Sequence, residues 1–62
     1  MKYVVKNSNG MYVSAPGREQ SFCKKLKHCR VFESEEEAKA DCCGNEWPVN
    51  VDSIPKDSYF FS

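Results

Sequence analysis

Tyr3-Val4-Val5-Lys6-Asn7-Ser8-Asn9-Gly10-Met11-Tyr12-Val13 sets two strand-like runs about an Asn-Gly pair, and its reading decides the fold. Valine and tyrosine favour extended backbone. Asn-Gly best tolerates the positive φ that a type I′ turn needs at both central positions. The segment reads as a β-hairpin with Asn9-Gly10 as its loop. Pairing across that loop sets Lys6 opposite Val13, Val5 opposite Ser14 and Val4 opposite Ala15. One face then carries Val4, Lys6, Met11, Val13 and Ala15; the other carries Tyr3, Val5, Tyr12 and Ser14. A longer loop, Asn7–Gly10, keeps this division because the register moves by an even step. Both faces are half apolar. One is expected to meet a helix, and the other to be covered by the tail, a second subunit or a target. With a hairpin starting so early, no cleaved leader is expected.

Ser34-Glu35-Glu36-Glu37 is the second strong signal. It is a capping box: the Ser34 oxygen accepts from the Glu37 N–H, and the Glu37 carboxylate reaches back to the Ser34 N–H. Three glutamates in the first turn suit the positive end of a helix. Gly44 offers a left-handed residue to end it. The reading is a helix of about ten residues, too short to stand alone. Its inward stripe is small, Ala38 and Cys42, with Ala40 and Cys43 on a neighbouring flank.

Between these signals, Pro16–Gln20 reads as a loop. Ser21–Arg30 has Phe22, Leu26 and Cys29 at the spacing of a short helical turn, while its lysines suit either a solvated turn or an exposed edge; Arg30–Glu33 reads as a third strand. Trp47, Val49, Val51 and Ser53 alternate with Pro48, Asn50 and Asp52, which marks a half-buried strand led by Trp47 as a core residue. Pro48 places its start at a sheet edge. The expected architecture is α+β: a small antiparallel sheet of three to four strands with one short helix on one face. Residues 1–55 form one domain, and 56–62 form a tail ending in Tyr59-Phe60-Phe61.

The chain has 62 residues, and its nine basic and nine acidic residues cancel. They are not evenly spread. Residues 1–32 carry seven bases and one acid, net +6, whereas residues 33–62 carry two bases and eight acids, net −6. Folding either mixes the signs or leaves opposed faces that steer a charged partner. No apolar run approaches a membrane span, so no membrane role is expected, and the chain reads as cytoplasmic.

The run from Tyr3 through Ser14, followed by Cys29-Arg30-Val31-Phe32-Glu33-Ser34-Glu35-Glu36-Glu37-Ala38, resembles small orphan proteins encoded by bacteriophages and prophages. Such proteins often begin with a Tyr-Val-Ile-Lys strand, turn at Asn-Gly, and carry an Ala-x-Val-Phe-x-Ser-x-Glu-Glu-Ala joint. The likeness spans roughly half the chain, and Cys29 stands where the usual joint has alanine. It implies an accessory protein, cytoplasmic in the host cell, that binds and disables a host factor such as CRISPR or restriction machinery.

Cys23, His28, Cys29, Cys42 and Cys43 are enough donors for zinc. No C-x₂-C knuckle is present, however, and consecutive helical cysteines point about 100° apart. Core thiols, with no metal and no cofactor, are the expectation. Two disulfides fit the chain order if the thiols oxidise: Cys23–Cys29, closing a short loop, and Cys29–Cys42, tying the third strand to the helix. His28-Cys29 lacks an orienting acid, so no enzyme is expected.

Three binding readings follow. The first is inhibition of a host protein. It would use the acidic surface Glu33, Glu35, Glu36, Glu37 and Asp41, which resembles a run of phosphates, or the aromatic residues Tyr3, Tyr12, Tyr59, Phe60 and Phe61. The second is a nucleic-acid module on Lys24, Lys25, Lys27 and Arg30, against which the zero net charge weighs. The third is a homodimer through a hairpin edge or the aromatic tail.

Overall fold

Asn7 builds the first turn. The computed structural model describes residues Met1–Ser62, and β1 (Tyr3–Asn7) ends on this buried asparagine. Its Oδ1 accepts from the backbone N–H groups of Asn9 and Met11, each at 3.0 Å. The Gly10 N–H donates to the Asn7 carbonyl at 3.2 Å, and the Asn7 N–H to the Met11 carbonyl at 2.9 Å. Gly10 has φ +81, and no residue other than glycine has positive φ. That excludes the expected type I′ turn, which needs positive φ at Asn9 as well. The loop is Ser8–Gly10, closed by a left-handed glycine.

A loop of odd length moves the register by one residue. Lys6 faces Tyr12, not Val13. Both side chains of β2 (Tyr12–Val13) therefore lie on the face opposite to the one expected. Tyr12 joins Val4 in one core cluster, and Val13 packs against Val5 in the other.

The sheet has the order β3-β2-β1-β4 and is antiparallel throughout. Its third strand in sequence, β3, is Phe22–Cys23, at the sheet's other edge and within the stretch left open between a helical turn and an exposed edge. Only Leu26–His28 coils there, as a single 3₁₀ turn. Arg30–Glu33, expected as a strand, makes one isolated bridge instead, and Cys29 just before it makes another. Cys29 pairs with Ser14 and Phe32 with Tyr3. Past Val13 the chain of β2 diverges from β1, and Phe32 takes the vacated place. It exchanges two backbone hydrogen bonds with Tyr3, at 2.8 and 2.9 Å.

The strand led by Trp47 is shorter than expected. β4 (Glu46–Asn50) is an edge strand paired with all of β1, and Pro48 sits on that edge opposite Val5. The Asn50 side chain then accepts from the Asp52 N–H at 2.9 Å and turns Val51–Ser53 into a 3₁₀ turn.

Both faces of the sheet are covered, so the domain has three layers. On one face α1 (Glu35–Ala40) seals Val5, Phe32 and Ala38. Ser34 caps it, accepting the Glu37 N–H at 3.2 Å. The helix is six residues long, not ten. Ala38 is its one buried side chain. Asp41 and Cys42 close it with tighter bonds to Ala38 and Lys39 carbonyls. Gly44 is not left-handed and takes no part in the ending.

On the other face the C-terminal segment covers Val4, Tyr12 and Cys23. Val51, Ile54 and Phe60 all enter this larger cluster. Residues 56–62 are thus packed on their own sheet through Phe60, which is 4 % exposed.

Candidate functional site

The C-terminal segment does not reach the hairpin tip, and an open groove of about 640 Å³ remains there. β1 and β4 supply one wall, with Lys6 opposite Trp47 across the pairing. Tyr12 and Phe60 lie at its base. Lys24, just past β3, and Tyr59, at the start of the last 3₁₀ turn, form the far rim. Trp47 is 44 % exposed and Tyr59 is 61 % exposed, a large apolar offering for so small a domain. Trp47, expected in the core, belongs to the surface. The edge position of β4 leaves no strand beyond it to cover the indole.

Lysines and aromatics line the groove, and no aspartate or glutamate does. Lys6 Nζ stands 5.9 Å from the Tyr12 ring centre, and Lys25 Nζ stands 4.9 Å from that of Tyr59. Each is held by the ring's negative face. Ser58 Oγ, also in the groove, is buried with no hydrogen-bond partner. Asp52, on the same C-terminal segment, is engaged with Lys56 at 3.8 Å.

The aromatic set expected to meet a partner does not form one surface. Tyr12 and Phe60 are buried core, and Phe61 is half-buried against Phe60 at a ring distance of 5.0 Å. Tyr3 packs on the helix side. Tyr59 alone of that set is exposed.

The basic set divides too. Lys24 rims the groove, Lys25 stands over Tyr59, and Lys27 lies on the Leu26–His28 turn. Arg30 leaves them: its guanidinium lies 5.0 Å over Phe32 and 3.7 Å from the Asp41 carboxylate. The acidic set splits by the same pair. Glu33, Glu35, Glu36 and Glu37 are exposed around the start of α1, and Asp41 sits at its other end against Arg30. Exposed glutamates thus gather at the start of α1, while Lys6 and Lys24 line the groove on the other face.

The thiols are also separated. Cys23 and Cys29 are buried together with their Sγ atoms 3.1 Å apart. Cys29 also donates to the Lys25 carbonyl at 3.1 Å. Cys42 is on the opposite face, donating to the Ala38 carbonyl at 3.2 Å, and Cys43 is exposed. No three of the His, Cys, Asp and Glu side chains converge as a metal site would require. Burial, then the hydrogen bond shared with Cys23, pushes the Cys29 thiol far above its ordinary value. Burial, followed by the charges of Glu46 and Asp41, raises Cys42.

A second, more polar cavity of about 510 Å³ lies under the Gly17–Gln20 loop, with Arg18, His28, Cys23 and Ser14 among its walls. Burial, then the positive charges of Arg18, Lys27 and Lys25, holds His28 below the ordinary imidazole value. His28 shares no hydrogen bond with Cys29, whose sulfur points to Cys23 and Lys25 instead.

No protein-family model matches the chain, and no curated protein or solved structure is similar to it. No helix is long and apolar enough to cross a membrane.

Sequence reasoning missed Trp47 and Lys6 as lining residues of the groove. The signal was present in Pro48, which marks an edge strand and so leaves its neighbour Trp47 flanked on one side only.

Proposed function

We propose that this chain is a non-enzymatic binding protein of the bacteriophage accessory type, acting by covering a surface on a host protein. One observation carries the reading: a groove with two large exposed rings, Trp47 and Tyr59, flanked by Lys6 and Lys24 and free of carboxylates. Exposed apolar area is worth about 25 cal/mol per Å² when a partner covers it. Tryptophan and tyrosine are the side chains that most often anchor interfaces. The lysines fit a partner segment rich in aspartate and glutamate, which they would steer and orient. Inhibition of defence machinery is the role that the phage resemblance implies for such a binder. The acidic start of α1 is a second charged face, turned away from the groove.

Tagged protein expressed in a bacterial host, recovered with its partner and compared with Trp47→Ala, tests this. Specific recovery and a growth effect, both lost in the variant, are expected. Recovery and growth effect unchanged by the variant contradict it.

The same groove favours one second reading, a grip on single-stranded nucleic acid, because lysines beside exposed rings hold phosphates and stack bases. A gel-shift series across salt separates the two. Phosphate contacts give affinity that falls steeply with salt, and no shift at low salt removes this reading.

A further inference from the structure

We propose that Cys23 and Cys29 are an oxidisable dithiol that closes to an intramolecular disulfide by exchange with a low-molecular-weight disulfide such as oxidised glutathione. The fold selects this pair. Cys23 stands opposite Tyr12 in the sheet and Cys29 opposite Ser14. Tyr12 and Ser14 are two apart on an extended chain, so their partners project to the same face. The two Sγ atoms meet there at 3.1 Å. A covalent S–S bond is about 2.05 Å, so closure asks for roughly 1 Å of approach. The alternative Cys29–Cys42 is blocked by the sheet itself, since Cys42 packs with Val5 and Phe32 on the other side.

Access decides the order of events. Cys23 lines the cavity beside Arg18 and a shallower basin beside Lys25 and Tyr59, and Cys29 lines neither. Arg18 and Lys25 suit the carboxylates of glutathione. Cys23, as thiolate, attacks one sulfur of the reagent; a Cys23–glutathione bond forms and one glutathione thiolate leaves. Cys29 then gives up its proton and attacks the Cys23 sulfur. The internal bond forms and the second glutathione leaves. Two protein thiols lose two electrons and two protons, and one reagent disulfide becomes two thiols. Burial disfavours the Cys29 thiolate, so the second step accelerates with rising pH. Closure ties Lys24–His28 into a ring and pins Lys24, which rims the groove. This inference does not depend on the proposed function, because its readout needs no partner.

The test starts from reduced protein held under native conditions with excess oxidised glutathione, then quenched with an alkylating agent and mapped by mass. In the expected product tryptic peptides 19–24 and 28–30 are joined, at a mass about 2 Da below the sum of their thiol forms, and Cys42 and Cys43 carry the alkyl group or a glutathione rather than a bond to either of them. Its Tm should rise by roughly 10 °C, the chain-entropy effect of so short a ring in a small domain, and return on reduction. The Cys42→Ser, Cys43→Ser double variant should close equally well. Alkylation of both Cys23 and Cys29 after treatment overturns the proposal. So does a Cys23–glutathione adduct that never resolves, or a bond from either residue to Cys42 or Cys43. The map of the unaltered chain decides even if single-cysteine variants fail to fold.

Discussion

The Phe60 ring lies on the Tyr12 ring, with centroids 4.6 Å apart and planes inclined at 48°. One residue comes from the N-terminal hairpin and the other from the end of the chain, so this contact joins the two ends of the sequence through the larger core. Only 12 of 62 residues are buried, which leaves little redundancy. Phe60→Ala is expected to cost about 3–5 kcal/mol. A domain of this size holds roughly 3–9 kcal/mol in total, so the variant should lose about a third of its stability or more. Phe60→Leu keeps the volume better and should cost under about 1.5 kcal/mol. Tyr59→Ala, on the exposed neighbour, should change stability by less than about 0.5 kcal/mol. Urea unfolding followed by Trp47 fluorescence reads all three.

The hairpin turn makes a separate prediction. Asn7→Ala removes the acceptor of two backbone N–H groups and should cost about 2 kcal/mol. Asn9→Ala should cost under about 0.5 kcal/mol, because Asn9 does not carry positive φ. Gly10→Ala should cost about 1–2 kcal/mol from φ alone, since no atom lies within 4 Å of a Cβ placed there. Denaturation midpoints give the ranking. A larger loss at Asn9 than at Asn7 would mean that the turn is type I′ after all.

These residues show where the sequence is readable. Asn-Gly announces a hairpin, but the register depends on which asparagine bonds the backbone, and that choice lies in Asn7's side chain. Ser34 announces a helix start by local chemistry, and the bond to the Glu37 N–H is there. The helix end is not local: α1 runs only to Ala40, two residues past Ala38, its one buried side chain. The pair Phe22-Cys23 is too short for any periodicity to reveal it as a strand, and lysines follow it directly. Pro48 correctly marks an edge. That edge leaves Trp47 uncovered on one side; how far the C-terminal segment extends over the sheet, which sets the rest of its exposure, is not written near residue 47. The split of Arg30 from its lysine neighbours is likewise tertiary, set by Asp41 and Phe32.

Alkaline pH should weaken the reduced protein. Burial holds the protons of Cys29 and Tyr12 above their ordinary values of 9.0 and 10.0. The unfolded chain releases these protons first, so the folded state binds more protons in that range. Stability is then at its full value below about pH 8.5 and declines as pH rises through 9 to 10. Urea midpoints measured from neutral to alkaline pH should show this fall. Tyr12→Phe should make it shallower.

His28 should titrate below 6.5, because burial and then Arg18, Lys27 and Lys25 disfavour its cation. The unfolded chain takes up the proton first as pH falls, so this group removes stability below about pH 6.5 and none above it. NMR titration of the imidazole reads the value directly. Arg18→Gln should move it up toward the ordinary one.

The most direct test compares partner binding by two variants, measured by calorimetry with the recovered partner. Trp47→Ala should lose at least about 2 kcal/mol, a roughly thirtyfold weakening, as expected of an interface anchor. Glu35→Lys combined with Glu36→Lys, on the far side of the sheet, should leave affinity within about threefold. A partner held normally by the Trp47 variant and released by the glutamate reversal would contradict the groove as the working surface.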